Sequence, residues 1–508
     1  MSILPASEIG DESTGFYNGV ATRSLKFNGS NHYLTRQSAT APNFSAGNQK
    51  TWTCSFWIKK TGFGSTVMLL STILNNANEF NIYINSTGYF SVGTQTTTLL
   101  QSDEALLDRA NWYNLIVRMD TTQSSDSNKL RLYINGNEAT YGTDNRSSIS
   151  EDDDLGLLSG INHYYGIRSN GSMPFDGYMA ELNVVDGSSL GPTSFGELKN
   201  GTWIPVEYSS SYGTQGWRLQ FINTTLNSSG AAGSSSTVGA DTSGNGNHWQ
   251  AENITADDIN MPDSPENNFA IFNTLTGHTA TTMSQGNLRA LAANSSNILE
   301  SQSSTIGVTS GKWYAEFRAD DLVNDGQNNG TQIGVTTVPF NRGSGNQNGY
   351  VVGNTRVNLD QNTGAYLGVN QDLTQNNIGT YADGDIIGVA LDVDNSQVSF
   401  YKNGSAITNA TNASITVVNA LHFFEIQVRK YDGDTSQITA NFGQDSTFSG
   451  AVSAGNNTDG NGKGDFKYSV PSGYLALCSA NLPDTTISPS KSSQADDHFV
   501  TVPYTGNG

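Results

Sequence analysis

Trp52, Cys54, Phe56 and Ile58 occupy every second position of one apolar run, and that two-residue period recurs through most of the 508-residue chain. A period of two puts alternate side chains on opposite faces of a strand. The pattern returns at residues 80–84, 112–119, 130–134 and 175–184, then at 311–317, 386–392, 398–401, 423–428 and 438–442. No sustained 3.6-residue period competes with it, and only residues 105–109 and 193–198 suggest a helical turn. Two runs end in Asn-Gly, at Asn135-Gly136 and Asn403-Gly404. Such pairs predict tight two-residue hairpins of the I′ kind. The chain is therefore expected to be all-β.

Its length implies two or three cores. Residues 1–22 are polar and aperiodic, and read as an N-terminal arm. A first strand-rich block spans 23–199, a Gly/Ser/Asn-rich connector 200–271, a second block 272–485, and a C-terminal extension 486–508. Isolated aromatics in the connector (Trp203, Tyr208, Trp217, Phe221, Trp249) predict that it packs against a domain. Each block reads as an antiparallel β-sandwich of the jelly-roll type.

Charged residues make up 14% of the chain, with 25 Lys+Arg against 46 Asp+Glu and a net charge of −21. That acidic field argues against a nucleic-acid partner. No run reaches the roughly 18 apolar residues of a membrane span. Residues 1–8 have neither a basic segment nor a long apolar one, so no secretory signal is expected. Cys54 and Cys478 both lie in apolar strand-like runs, and read as buried small hydrophobes rather than a disulfide.

The first block resembles the laminin-G/concanavalin A-like lectin superfamily. The resemblance rests on a TW-x-x-S-x-W-x-K run at 51–59, on 112–120 and 132–137, and on 175–184 followed by Asp186-Gly187. The second block resembles a SPRY sandwich at 311–317, 384–394, 398–404, 441–444, 466–474 and 477–483. The whole layout is similar to a family of virion structural proteins of marine tailed bacteriophages, cyanophage-like, that join these two modules. Shared features are Ile3-Leu4-Pro5, Ser194-Phe195-Gly196-Glu197, residues 241–247, Asp263-Ser264-Pro265 with Asn268-Phe269, and Ala480-Asn481-Leu482-Pro483.

That resemblance implies a virion protein, made in the host cytoplasm, that is fibre- or knob-like and contacts host-surface glycans. A capsid decoration protein without a receptor role is the alternative. The partners it implies are other virion proteins, reached through residues 1–22 with Ile3, Leu4 and Pro5 in a partner's groove, and further copies of the chain, as in a trimer.

Enzymatic chemistry is not expected. A retaining glycosidase needs two carboxylates about 5–5.5 Å apart, and no Glu-x-Asp-x-x-Glu string occurs; the nearest acids, residues 151–154 and Asp392-Val393-Asp394, read as turn acids. The sugar-contact candidates are His163, Tyr164 and Tyr165, an imidazole beside two rings. Calcium is the metal the superfamily implies, with Asp152, Asp153 and Asp154 as candidate ligands. The 459–465 and 241–247 loops are further candidates, although Asp/Asn/Gly runs also form ordinary turns.

Overall fold

The alternation along the strand Thr51–Lys60 sorts its side chains as expected: Trp52, Cys54, Phe56 and Ile58 enter one hydrophobic core, while Trp57 and Lys59 point the other way. The computed structural model describes residues 4–5, 16–37, 45–72, 79–155, 157–275, 277, 280–293, 299–322, 332–337, 355–360, 364–369, 372–375, 381–408, 410–415, 420–431 and 434–482. The 486–508 extension and most of the arm lie outside these residues. Among them, Thr51–Lys60 runs through a seven-stranded sheet ordered Asn137–Glu138, Leu130–Ile134, Tyr113–Asp120, Thr51–Lys60, Asp176–Asp186, Trp217–Leu219, with Leu25–Asn28 also on Asp176–Asp186. An eight-stranded sheet faces it, ordered Tyr141–Asp144, Thr98–Ala105, Tyr89–Thr94, Phe80–Ile84, Val67–Thr72, His163–Tyr165, Tyr33–Arg36, Gln250–Glu252. All pairings in both sheets are antiparallel. Between them Trp52, Phe80, Ile82, Val92, Leu115 and Val184 are fully buried, each stabilising by roughly 1.5–3 kcal/mol.

Both Asn-Gly turns form as expected. Asn135 and Gly136 have φ of 47° and 81°, and Asn403 and Gly404 have 49° and 79°, the positive pair that a I′ hairpin requires. Of the two expected helical turns, the second forms in part, as a single 3-10 turn at Pro192–Ser194, and the first does not. Residue 105 ends a strand, and Gly196–Lys199 pairs with Thr202–Pro205. The α-helix seen among the described residues is Asp126–Lys129.

The connector belongs to the first sandwich. Trp217–Leu219 extends one sheet beside Asp176–Asp186, and Gln250–Glu252 extends the other beside Tyr33–Arg36. Trp217 and Trp249 meet in the core with ring centroids 5.1 Å apart. The outward face of the seven-stranded sheet is covered in turn by Phe195, Trp203, Tyr208 and Tyr212.

The second sandwich packs a nine-stranded sheet against a seven-stranded one. Lys312–Asp321 lies between Ile386–Asp392 and Gln437–Asn441, and in the opposing sheet Phe423–Tyr431 lies between Leu299–Ser303 and Gln332–Thr336. Trp313, Phe317, Val389, Phe400, Ile426 and Phe442 fill the space between. Cys54 and Cys478 are not joined in a disulfide and are buried in different cores.

The arm docks on its own chain. Gly19, Val20 and Ala21 donate their N–H groups to the buried Glu266 carboxylate at 3.0, 2.7 and 3.0 Å. Leu4–Pro5, expected in a partner's groove, pairs in parallel with Ile306–Gly307 of its own chain.

Candidate functional site

Burial removes two of the three expected sugar contacts. His163 is 1% exposed, its Nε2 accepting the Leu158 N–H at 3.2 Å, and burial pushes its pKa down to about 3. Tyr165 is wholly buried between Trp217 and Trp249, its hydroxyl accepting the Trp217 indole N–H at 3.1 Å. These two side chains hold the connector in the core. Tyr164 points to the other face of the sheet, 6.1 Å from Tyr33 by ring centroid, but is only 9% exposed.

The expected calcium ligands do not converge either. Asp152 pairs with Lys50 at 3.3 Å, and Asp153 closes its own turn by accepting the Ser150 N–H at 2.7 Å. Among the described residues no three His, Cys, Asp or Glu side chains gather to hold a metal ion. In the 241–247 loop, Asp241 accepts the Ser243 and Asn247 N–H groups, and so acts as a turn former.

A cleft that sequence reasoning missed lies on the outward face of the seven-stranded sheet. Trp57 reaches it because its neighbours Phe56 and Ile58 face the core. Trp112 enters from the start of the adjacent strand, and Trp203 from the Gly196–Pro205 hairpin. Trp203 is held where two glycines leave room: a Cβ on Gly136 or on Gly196 would meet its ring at 2.5 or 2.4 Å. With Tyr17, these three rings line a cavity of about 420 Å³. Asn111, Asn135, Asn137 and Asn268 supply amides around them, and none of the lining side chains carries a charge.

Hydrogen bonds fix most of this wall. Trp112 donates its indole N–H to Asp263 at 3.1 Å, and Trp203 donates to Asn114 Oδ1 at 3.0 Å. Asn268 donates to the Ala110 carbonyl at 2.8 Å and accepts from Lys59 Nζ at 2.7 Å. Behind the wall Lys59 meets Asp263 at 2.8 Å; burial lowers the lysine's pKa and raises the aspartate's, and each partner opposes that shift. Trp57 is 4% exposed, its ring edge reaching the cavity lining. The cleft thus offers aromatic rings together with amide donors and acceptors. Such a set suits a small uncharged ligand with an apolar face and a polar rim.

Comparison with known proteins gives the class of each module. Residues 29–191 match the model of the concanavalin A-like lectin/glucanases superfamily, and residues 312–429 match that of the SPRY domain. The chain thus joins a concanavalin-like sandwich to a SPRY sandwich. No curated protein matches it. Among solved structures it is similar to the SPRY domain of human HERC1, with 19% identity over 34% of this chain and 97% of that one, at a TM-score of 0.26. It is also similar to a putative carbohydrate binding protein from Bacteroides ovatus (17% identity, 46% and 59% coverage, TM-score 0.32). A third is the Ruminococcus gnavus IT-sialidase CBM40 bound to alpha2,3 sialyllactose (15%, 32% and 89%, TM-score 0.24). At these identities the likeness is one of fold.

Proposed function

We propose that the chain is a non-catalytic glycan-binding protein of a tailed-phage virion, and that its first sandwich takes uncharged sugars of the host surface into the tryptophan–asparagine cleft. The observation that carries this is the lining: three indoles and four asparagine amides around a charge-free cavity, in a chain of net charge −21. Ring faces suit the C–H face of a pyranose, and amides suit its hydroxyls. No carboxylate lines the cleft, which supports binding over hydrolysis. The virion setting rests on the resemblance of the sequence to marine tailed-phage proteins. Display in many copies would turn weak single contacts into avidity. Attachment to other virion proteins through residues 1–22 is part of the same reading.

Titration calorimetry with neutral oligosaccharides tests the reading. Trp203→Ala is expected to weaken binding at least tenfold while the protein stays folded. Unchanged affinity in that variant, or no neutral glycan bound by the parent protein, would defeat it.

A further inference from the structure

We propose that the docked arm is one wall of the tryptophan–asparagine cleft, positioned by Glu266, so that sugar binding and arm docking favour one another. The inference rests on the glycan reading of the cleft and adds the regulation of that site. The cleft is not built from the first sandwich alone. Phe16 and Tyr17 of the arm line one side and Trp203 of the 196–205 hairpin another, while Pro265, Asn268 and Ser479 close it from the side of the second sandwich.

The arm ties two of these pieces together. On the hairpin side, Asn18 Nδ2 donates to Glu197 Oε1 and to the Pro205 carbonyl, both at 3.0 Å. Lys199 Nζ donates to the Phe16 carbonyl and lies 5.2 Å from the Phe16 ring centroid. On the other side, Gly19 donates its N–H to Glu266 Oε2, and Val20 and Ala21 donate theirs to Oε1. Successive N–H groups converge on one carboxylate where the backbone curls, and Gly19 supplies the curl with a φ of 71°. Bonds from N–H groups to a carboxylate are among the stronger hydrogen bonds. Glu266 is 2% exposed and stands between Pro265 and Asn268, so its backbone belongs to the cleft's far wall. It acts on the ligand through the arm, as a positioning residue: it holds the peptide that presents Phe16 and Tyr17, whose rings meet edge to face at 5.0 Å.

Coupling follows from linkage. Residues 16–21 belong to no strand, and a segment held in this way opens locally at less cost than a central strand. With the arm lifted, the cleft keeps the indoles of the sheet and the hairpin but loses Phe16 and Tyr17. A sugar that spans both walls therefore binds the docked state more tightly, and by the same factor it holds the arm on Glu266. Anything that draws the arm away lowers sugar affinity by that factor. A partner gripping residues 1–22 and a sugar in the cleft then act on one equilibrium, although they touch different surfaces.

The test pairs calorimetry on the whole protein, with neutral galactose, glucose and mannose trimers, with hydrogen exchange at the Val20 and Ala21 N–H groups. Glu266→Ala is expected to weaken binding of the trimer that the parent protein takes by about tenfold. Glu266→Gln keeps one acceptor oxygen for Val20 and Ala21 and should lose less. Asn18→Ala changes an exposed side chain on the hairpin side of the arm and should lose about threefold, which guards against a Glu266 variant that fails to fold. In the parent protein, saturating trimer should slow exchange at Val20 and Ala21 by the same factor that Glu266→Ala costs in affinity, a reciprocity that a merely structural glutamate would not show. A parent protein that binds no neutral trimer overturns the glycan reading and this inference together. Binding that Trp203→Ala weakens but Glu266→Ala and Asn18→Ala leave unchanged overturns the coupling alone, as does exchange at Val20 and Ala21 that bound trimer does not slow.

Discussion

Lys59 Nζ lies 2.8 Å from the Asp263 carboxylate, and neither side chain is exposed to solvent. Lys59 stands near the end of the central strand of the first sandwich, and Asp263 in the segment leading to the second. Lys59 also donates to Asn268 Oδ1 and to the Phe269 carbonyl, while Asp263 accepts the Trp112 indole N–H. One buried pair therefore braces both the seam between the sandwiches and the wall of the cleft. Lys59→Met leaves a buried carboxylate without its cation, and is expected to cost about 3–5 kcal/mol in urea unfolding. Replacing both partners by apolar residues should cost much less. A single variant within about 1 kcal/mol of the parent protein would show that the charges are not coupled.

A second buried acid makes stability depend on pH. Glu316 accepts the Lys467 and Tyr468 N–H groups, both at 2.8 Å, and so fastens the 466–474 stretch to the second sandwich. Burial nevertheless pushes its pKa up from 4.5 to about 7. The folded protein then holds a proton that the unfolded chain has released, so stability falls as pH rises from about 4.5 to about 7. The loss from this one group is roughly 3 kcal/mol and is complete above that window. Glu181 is pushed the same way, also to about 7, so the readout is the difference between Glu316→Gln and the parent protein. Unfolding free energies of the two should diverge across the window; parallel curves would refute the assignment.

The strands and hairpins were legible because their signals are local. Trp52 to Ile58 alternates within seven residues, and Asn135-Gly136 names its own turn. Trp52, Phe56, Trp313, Val389 and Phe400 are buried in the cores, as their alternation implied. Trp112 and Tyr133 are buried too, but on the outward face of the sheet, which only the covering connector makes an interior. His163 and Tyr165 were misplaced because a three-residue strand carries too little pattern to show which face it buries. The cleft was not legible, since Tyr17, Trp57, Trp112 and Trp203 come from four distant segments. Its one local trace was Trp57, an aromatic on the face opposite the apolar stripe of its own strand.

The position of Trp203 can be tested without touching the ring. Gly136 has φ of 81°, and a Cβ there would lie 2.5 Å from Trp203 Cε3. Gly136→Ala therefore adds backbone strain to a clash. It is expected to cost about 1–3 kcal/mol and to displace the indole from the cleft. Tryptophan fluorescence and neutral-glycan binding should both change. If glycan affinity holds while stability drops, Trp203 is a structural cover rather than part of the cleft's binding wall.

The connector offers the most direct test of how the first sandwich is built. Its composition marks it as a linker, yet Trp217–Leu219 and Gln250–Glu252 each close one edge of a sheet. Trp217 and Trp249 bury their rings against Tyr165 and His163, and the Trp217 N–H satisfies the Tyr165 hydroxyl. Arg218 adds a buried ion pair to Glu181 at 2.6 Å. A fragment of residues 23–199 would keep Tyr165, His163 and Glu181 but lose every one of these partners, and would expose both sheet edges. It is expected to be insoluble or unfolded, whereas 16–271 should fold far better. In the whole chain, Trp249→Ala removes a fully buried ring and should cost about 3–5 kcal/mol. Limited proteolysis gives a parallel reading: cleavage within 217–252 should be slow while the protein is folded. Rapid cleavage there, with an intact and cooperative 23–199 core left behind, would return the connector to the role its composition suggested.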